Sequence, residues 1–283
     1  MKSQLSKWSL VLFLLLGLVP AAATAQVSVG IGIGVAVHTP PPMLPVYVQP
    51  PIPGEGYMWT PGYWAWGEAG YYWVPGVWVR PPMVGVLWTP GYWGFAGGVY
   101  GWHAGYWGPH IGFYGGINYG YGYTGLGYQG GYWNGGRFNY NRTVNNVNTT
   151  IIKNVYNYNI VNRTTVISRV SYNGGKGGVP VRPRPQEVVT VREPRAPAMR
   201  TQVEHEQAAR VDHNQFEPVN HGRPVKPVVE HPIEADRDVH PAVRPVPVAR
   251  PEAHPQEHPR PEPPHAVKPE ERHPQAKPED KHK

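Results

Sequence analysis

The chain has 283 residues, a formal net charge of +7, 34 glycines, 35 prolines, eleven tryptophans and no cysteine. The missing thiols exclude cysteine nucleophiles, cysteine-ligated zinc and a lipid-modified N-terminal cysteine, together with the disulfide stapling open to an exported chain. Charge is spread unevenly: residues 26–135 hold only Glu55, Glu68 and Arg80, residues 136–180 hold six cations and no acid, and residues 181–283 balance to zero, which predicts successive segments rather than one uniform core.

The first 25 residues read as a signal peptide. Lys2 and Lys7 form a positive head, Leu10 to Val19 a short apolar stretch, and Ala23-Thr24-Ala25 a small-x-small cleavage site. No later stretch is long and apolar enough to predict a transmembrane helix. Residues 26–56 follow as a strand and a connector. From Val27 to Val37 apolar residues at odd positions alternate with Gly, Ser or Ala, which predicts a strand with one bulky and one bare face. Pro40 to Pro53 then predicts extended backbone.

Residues 57–135 carry an internal repeat. Trp59-Thr-Pro-Gly62-Tyr-Trp64 recurs as Trp73-Val-Pro-Gly76-Val-Trp78, as Trp88-Thr-Pro-Gly91-Tyr-Trp93 and as Trp102-His-Ala-Gly105-Tyr-Trp107. A worn fifth copy is Tyr128-Gln-Gly-Gly131-Tyr-Trp133. The glycine persists where the proline becomes Ala104, which predicts a backbone need at glycine, a positive φ within a type II turn. Aromatic and β-branched neighbours predict strands, and Gly67-Glu-Ala-Gly70, Pro81-Pro-Met-Val-Gly85 and Ala96-Gly-Gly98 are turn chemistry. Two registers fit. In one, Pro-Gly is the hairpin turn and Trp59 faces Trp64. In the other, Pro-Gly is a bulge inside a longer strand, and the linking pieces are the turns. Both give an antiparallel meander with stacked indoles.

The W-x-x-G-x-W pattern, with Tyr-x-Trp between copies, resembles the WXXGXW (YXWGXW) repeat family of bacterial envelope proteins. Val170-Ser-Tyr-Asn-Gly-Gly175 and Val219-Asn-His-Gly-Arg-Pro224 resemble tail segments of its longer members. The resemblance implies export and a repeat fold. It implies no catalytic residues, and the lipid anchor of many members lacks its cysteine here. The residues it singles out are Trp59, Gly62, Trp64, Trp73, Gly76, Trp78, Trp88, Gly91, Trp93, Trp102, Gly105 and Trp107.

Beyond the repeat, Gly120-Tyr-Gly-Tyr-Thr-Gly125 has dinucleotide-fingerprint spacing without the strand-then-helix context that would give it meaning. Residues 136–172 are rich in Asn, Thr and Val, which predicts one or two strands in a basic segment. Residues 173–283 are rich in Pro, His and charge, which predicts a disordered tail with polyproline II character and room for one short helix around Thr201 to Arg210. The fold class expected is therefore mainly β: a small antiparallel meander of aromatic, glycine-rich repeats with a long disordered tail.

Catalytic chemistry is poorly supplied. Between Gln26 and Pro180 the only carboxylates are Glu55 and Glu68, both in turn contexts, so any glycosidase-like pair would have to be those two. His103 and His110 have no third ligand, and the tail histidines read as solvated spacers, so no cofactor and no metal site is expected. The expectation is an exported, non-enzymatic structural or interaction protein of the periplasm, cell envelope or exterior. The alternatives are a glycan- or peptidoglycan-binding module using the repeat rings, and an outer-membrane-associated β protein built on the uncharged 81–136 stretch. The expected partners are a cell-wall glycan or another envelope protein, with membrane association open and nucleic acid not expected.

Overall fold

The computed structural model describes residues 34–159 and 169–236. The expected signal peptide, most of the Val27–Val37 pattern, residues 160–168 and residues 237–283 lie outside the described residues.

The strands are short: β1 (Ala36–Val37), β2 (Met58–Thr60), β3 (Tyr63–Gly67), β4 (Gly70–Val74), β5 (Val77–Val79), β6 (Leu87–Thr89), β7 (Tyr92–Ala96), β8 (Val99–His103), β9 (Tyr106–Gly108), β10 (Asn118–Gly120), β11 (Tyr123–Thr124), β12 (Gly131–Asn134), β13 (Arg137–Asn141), β14 (Val155–Tyr156), β15 (Tyr172–Asn173) and β16 (Ala196–Pro197). Three helices of four residues or more, α1 (Pro185–Val189), α2 (Arg200–Val211) and α3 (Glu217–Asn220), come from the C-terminal segment. The described residues are mainly β, arranged in six small sheets rather than one continuous ribbon.

Two copies of the repeat make one hairpin. β2 pairs antiparallel with β5 (Trp59 opposite Trp78), and β3 pairs with β4 (Trp64 opposite Trp73) in the same running register. The third and fourth copies repeat this, with Trp88 opposite Trp107 and Trp93 opposite Trp102. Of the two registers open from sequence, the second is the one adopted: Gly67–Gly70 and Ala96–Val99 close the hairpins, and each Pro-Gly interrupts a strand. Positive φ therefore falls in the linking turns, at Gly70 (φ 103°) and Gly98 (φ 87°).

Five-residue spacing would put the two tryptophans of a copy on opposite faces of a straight strand. The Pro-Gly break uses that difference to send them into two cores. Trp59, Trp78, Trp88 and Trp107 join one cluster with Ile52, Val79, Phe138 and Ile152. Trp64, Trp73 and Trp93 join another with Leu44, Tyr114, Ile117 and Tyr123. Trp59, Trp64, Trp73, Trp78, Trp93 and Trp107 are all below 2 % exposed or at that limit. Residues 114–140 lie against the hairpins through tyrosine hydroxyls that donate to repeat carbonyls: Tyr119 to Gly91, Tyr123 to Trp88 and Tyr140 to Tyr57.

The flanks are bound to the repeats by the indoles. Trp64 and Trp78 donate their ring N–H to the carbonyls of Met43 and Pro50 in the N-terminal connector. Trp73 donates to Pro227. Proline removes a backbone donor but leaves its carbonyl, and tryptophan offers a donor with no acceptor, so proline-rich strands suit an indole-rich core.

The basic 136–172 segment forms β13 and the short β14, which pair parallel, with turns between them. The C-terminal segment departs from expectation. Residues 173–236 are ordered: Met199, Ala209 and Phe216 are buried, and 227–233 run beside β5 through bridges Gly76 to Val228 and Val79 to Ile233. Composition promises too little apolar surface for a free-standing fold. The segment instead spends a few apolar side chains on a surface the repeats already present.

Candidate functional site

The repeat glycines sit where the two strands of a hairpin cross. Gly62, Gly76, Gly91 and Gly105 do not have positive φ, so the expected type II turn is absent. Their requirement is steric. A Cβ on Gly62 would stand 2.3 Å from Trp73 Cζ2, and one on Gly76 would stand 2.5 Å from Trp59 Cζ2. In the second hairpin the same 2.5 Å approach joins Gly91 to Trp102 and Gly105 to Trp88. The first indole of each copy thus covers the glycine of its partner copy, and the exchange is reciprocal. The facing rings also meet, with centroids 5.3 Å apart for Trp59–Trp78 and Trp64–Trp73, 5.1 Å for Trp88–Trp107 and 5.4 Å for Trp93–Trp102.

The two hairpins bring their Pro-Gly crossings to a cavity of about 270 Å³. Pro61, Pro75, Pro90 and Ala104 line it, as do the rings of Trp88 and Trp102. α2 contributes Gln202, Val203, His205 and Glu206 to its wall. The helix is placed by its own start: Gln202 Oε1 accepts from the Met199 N–H at 3.0 Å, a capping-box arrangement, and from the Trp107 ring N–H at 2.8 Å. Glu206 accepts from the Tyr63 hydroxyl at 2.7 Å and from Tyr72 at 3.4 Å. His205 Nε2 donates to the Pro75 carbonyl at 2.9 Å. Burial pushes the His205 imidazole below its ordinary value, against the Pro75 hydrogen bond. Burial, then the Glu206 carboxylate, pushes the Tyr63 phenol well above its own.

All twelve motif residues belong to this hairpin pair, and the structure gives them to packing. Trp102 is the half-buried one among the motif tryptophans, stacked on Tyr63 with centroids 5.0 Å apart. The residues sequence did not single out are Tyr63, His205 and Glu206. The last two sit on the one helix that the composition of the tail allowed, yet nothing local tied that helix to the repeats.

The other candidate groups do not converge. Glu55 precedes β2 and Glu68 lies in the β3–β4 turn, so the whole length of β2 and β3 separates them along the chain. His103 stacks on Tyr92 at 4.5 Å, while His110 pairs with Glu193 at 2.8 Å. No group of three or more His, Asp or Glu suited to a metal ion occurs among the described residues. Gly120–Gly125 forms the β10–β11 hairpin rather than a strand-to-helix phosphate loop.

Reciprocal tryptophan-glycine hairpins, flanked by proline-rich segments, define a repeat protein whose unit is a pair of copies. The chain carries the WXXGXW repeat: the model of that family matches residues 54–79 in two copies, the stretch that folds as the first hairpin. No curated protein and no solved structure matches the chain.

Proposed function

We propose that this is an exported, non-enzymatic structural or interaction protein of the cell envelope. The observation that carries the reading is the reciprocal burial of the repeat rings, which makes the motif a fastening device for the chain itself rather than a set of reacting groups. A motif consumed in this way holds proline-rich segments to a rigid β core. The signal-like N-terminus and the resemblance to envelope proteins are what support the proposed location. Cell fractionation of the full chain, with N-terminal sequencing of the product, tests it. The expected product begins at Gln26 and lies outside the cytoplasm; uncleaved cytosolic protein refutes the reading.

Glycan binding through the motif tryptophans is disfavoured, because they pack on each other in pairs, and the two that also line a cavity, Trp88 and Trp102, border a space of only about 270 Å³. A glycan reading moves instead to the outer face of β12–β13–β14. Tyr132 lies opposite Asn139 there, Asn134 lies opposite the exposed Arg137, and the Tyr132 and Tyr156 rings are 5.2 Å apart. Retention on immobilised polygalacturonate, lost in Tyr132→Ala and Arg137→Ala, is the result this second reading requires. A membrane-spanning barrel is not proposed: the described strands, of two to five residues, are shorter than the nine to eleven a spanning strand needs.

A further inference from the structure

The fourth copy has Ala104 where the other three have proline, and that place is on the cavity. Pro61, Pro75 and Pro90 are buried in its wall, whereas Ala104 lines it and is exposed. Ala104 is thus one of three exposed residues at the rim of the cavity, with Pro197 and Val203. The lining is mostly apolar. Thr60, Gln202 and His205 direct their polar atoms to partners within the fold. Glu206 is different: it accepts two tyrosine hydroxyls but has no cation within ion-pairing distance among the described residues. The neighbouring His205 is held toward its neutral form by burial, so it supplies no fixed countercharge.

We infer that this cavity is a binding site for a small organic cation, a quaternary or primary ammonium, with Glu206 as its counter-charge and the Trp88 and Trp102 rings as its aromatic wall. An ammonium group is attracted to the faces of indole rings, more strongly when desolvated. A carboxylate beside those rings adds the charge that separates a cation from a neutral molecule of the same shape. The volume sits just below the usual range for drug-sized ligands, which restricts the ligand to a compact head group.

The test uses the full chain, choline, and 3,3-dimethylbutan-1-ol, the carbon isostere of choline that lacks its charge. Titration calorimetry and tryptophan fluorescence should show saturable choline binding and at least about tenfold weaker binding of the neutral isostere. Glu206→Gln keeps an acceptor for Tyr63 and removes the charge; it should weaken choline by a similar factor and leave the isostere unchanged. Glu204→Gln, on the same helix but exposed and paired with Arg200, should change neither. Ala104→Pro restores the repeat consensus at the rim; it should leave circular dichroism and thermal stability intact and reduce choline affinity. No saturable choline binding at millimolar concentration, equal affinity for choline and its isostere, or choline affinity unchanged in both Glu206→Gln and Ala104→Pro overturns the inference.

Discussion

Replacing Gly76 with alanine tests the physical core of the repeat. The added methyl would stand 2.5 Å from Trp59 Cζ2, and Trp59 is fully buried against Trp78 and Tyr121, so the ring has no free direction in which to retreat. Overpacking of this kind costs about 1–3 kcal/mol. The loss of glycine's freedom in the unfolded chain returns about 0.4–1 kcal/mol, since φ here is not positive. A net loss of up to about 2.6 kcal/mol remains, centred near ~1 kcal/mol, and in a domain of this size each kcal/mol lowers Tm by roughly 2–4 °C. Gly54→Ala is the control: its Cβ would meet only Tyr57, at 3.7 Å, and stability should stay level or rise. The decisive measurement is a double-mutant cycle by denaturant titration. In a Trp59→Leu background the ring atom is gone, so Gly76→Ala should cost little or nothing. An equal cost in both backgrounds would mean that the backbone, not the indole, demands glycine, and would refute the argument.

Three further outcomes follow from the same structure. Trp64→Ala removes a ring 1 % exposed that faces Trp73; a loss of about 3–5 kcal/mol is expected in chemical denaturation, and a loss below 1 kcal/mol contradicts the core assignment. Hydrogen exchange should show protection of the Val229 and Ile233 amides, which donate to Gly76 and Trp78 carbonyls; exchange at unfolded-chain rates would return the 173–236 segment to disorder. Because burial lowers the folded pKa of His205, the unfolded chain takes up the proton first as pH falls below about 6.5. The stability linked to His205 is therefore present above that pH and lost below it, and His205→Gln should flatten the decline between pH 7 and 5 in a Tm-against-pH series; an unchanged slope rejects the assignment.

Much of the fold was legible because it is local. The tryptophan-glycine spacing and the glycine-rich links give strands, turns and a repeat from chemistry within about fifteen residues. The reason for the glycines was not legible. Persistence of Gly62, Gly76, Gly91 and Gly105 looked like a dihedral requirement, but a ring delivered by the opposite strand imposes it, and no single copy contains both halves of that contact. The cavity was hidden for the same reason. Its wall joins Thr60, Pro61, Trp88, Pro90, Trp102 and Ala104 to Gln202, Val203, His205 and Glu206, and the pattern that set the repeat aside as a domain also set the tail aside as solvent-exposed. Composition judges a segment by what it buries by itself; residues 173–236 bury little alone and are ordered by strands and indole donors already in place.

The fifth copy shows that pairing, rather than the copy, is the unit of stability. Gly131 and Trp133 are present, but no sixth copy follows to supply a covering indole. β13 takes the partner's place. Trp133 lies opposite Phe138, with ring centroids 5.2 Å apart, and a Cβ on Gly131 would stand 2.4 Å from Phe138 Cε1. Phenylalanine thus performs at Gly131 the covering that Trp59 performs at Gly76, with a smaller ring and from the facing strand itself. Trp133 still joins the Trp59–Trp78–Trp88–Trp107 cluster and donates its ring N–H to the Val86 carbonyl. A lone copy leaves a bare glycine surface, and a gap there would forfeit the dispersion contacts that a covering ring supplies. An odd copy is stable here because the chain that follows it, Arg137–Asn141, brings that ring.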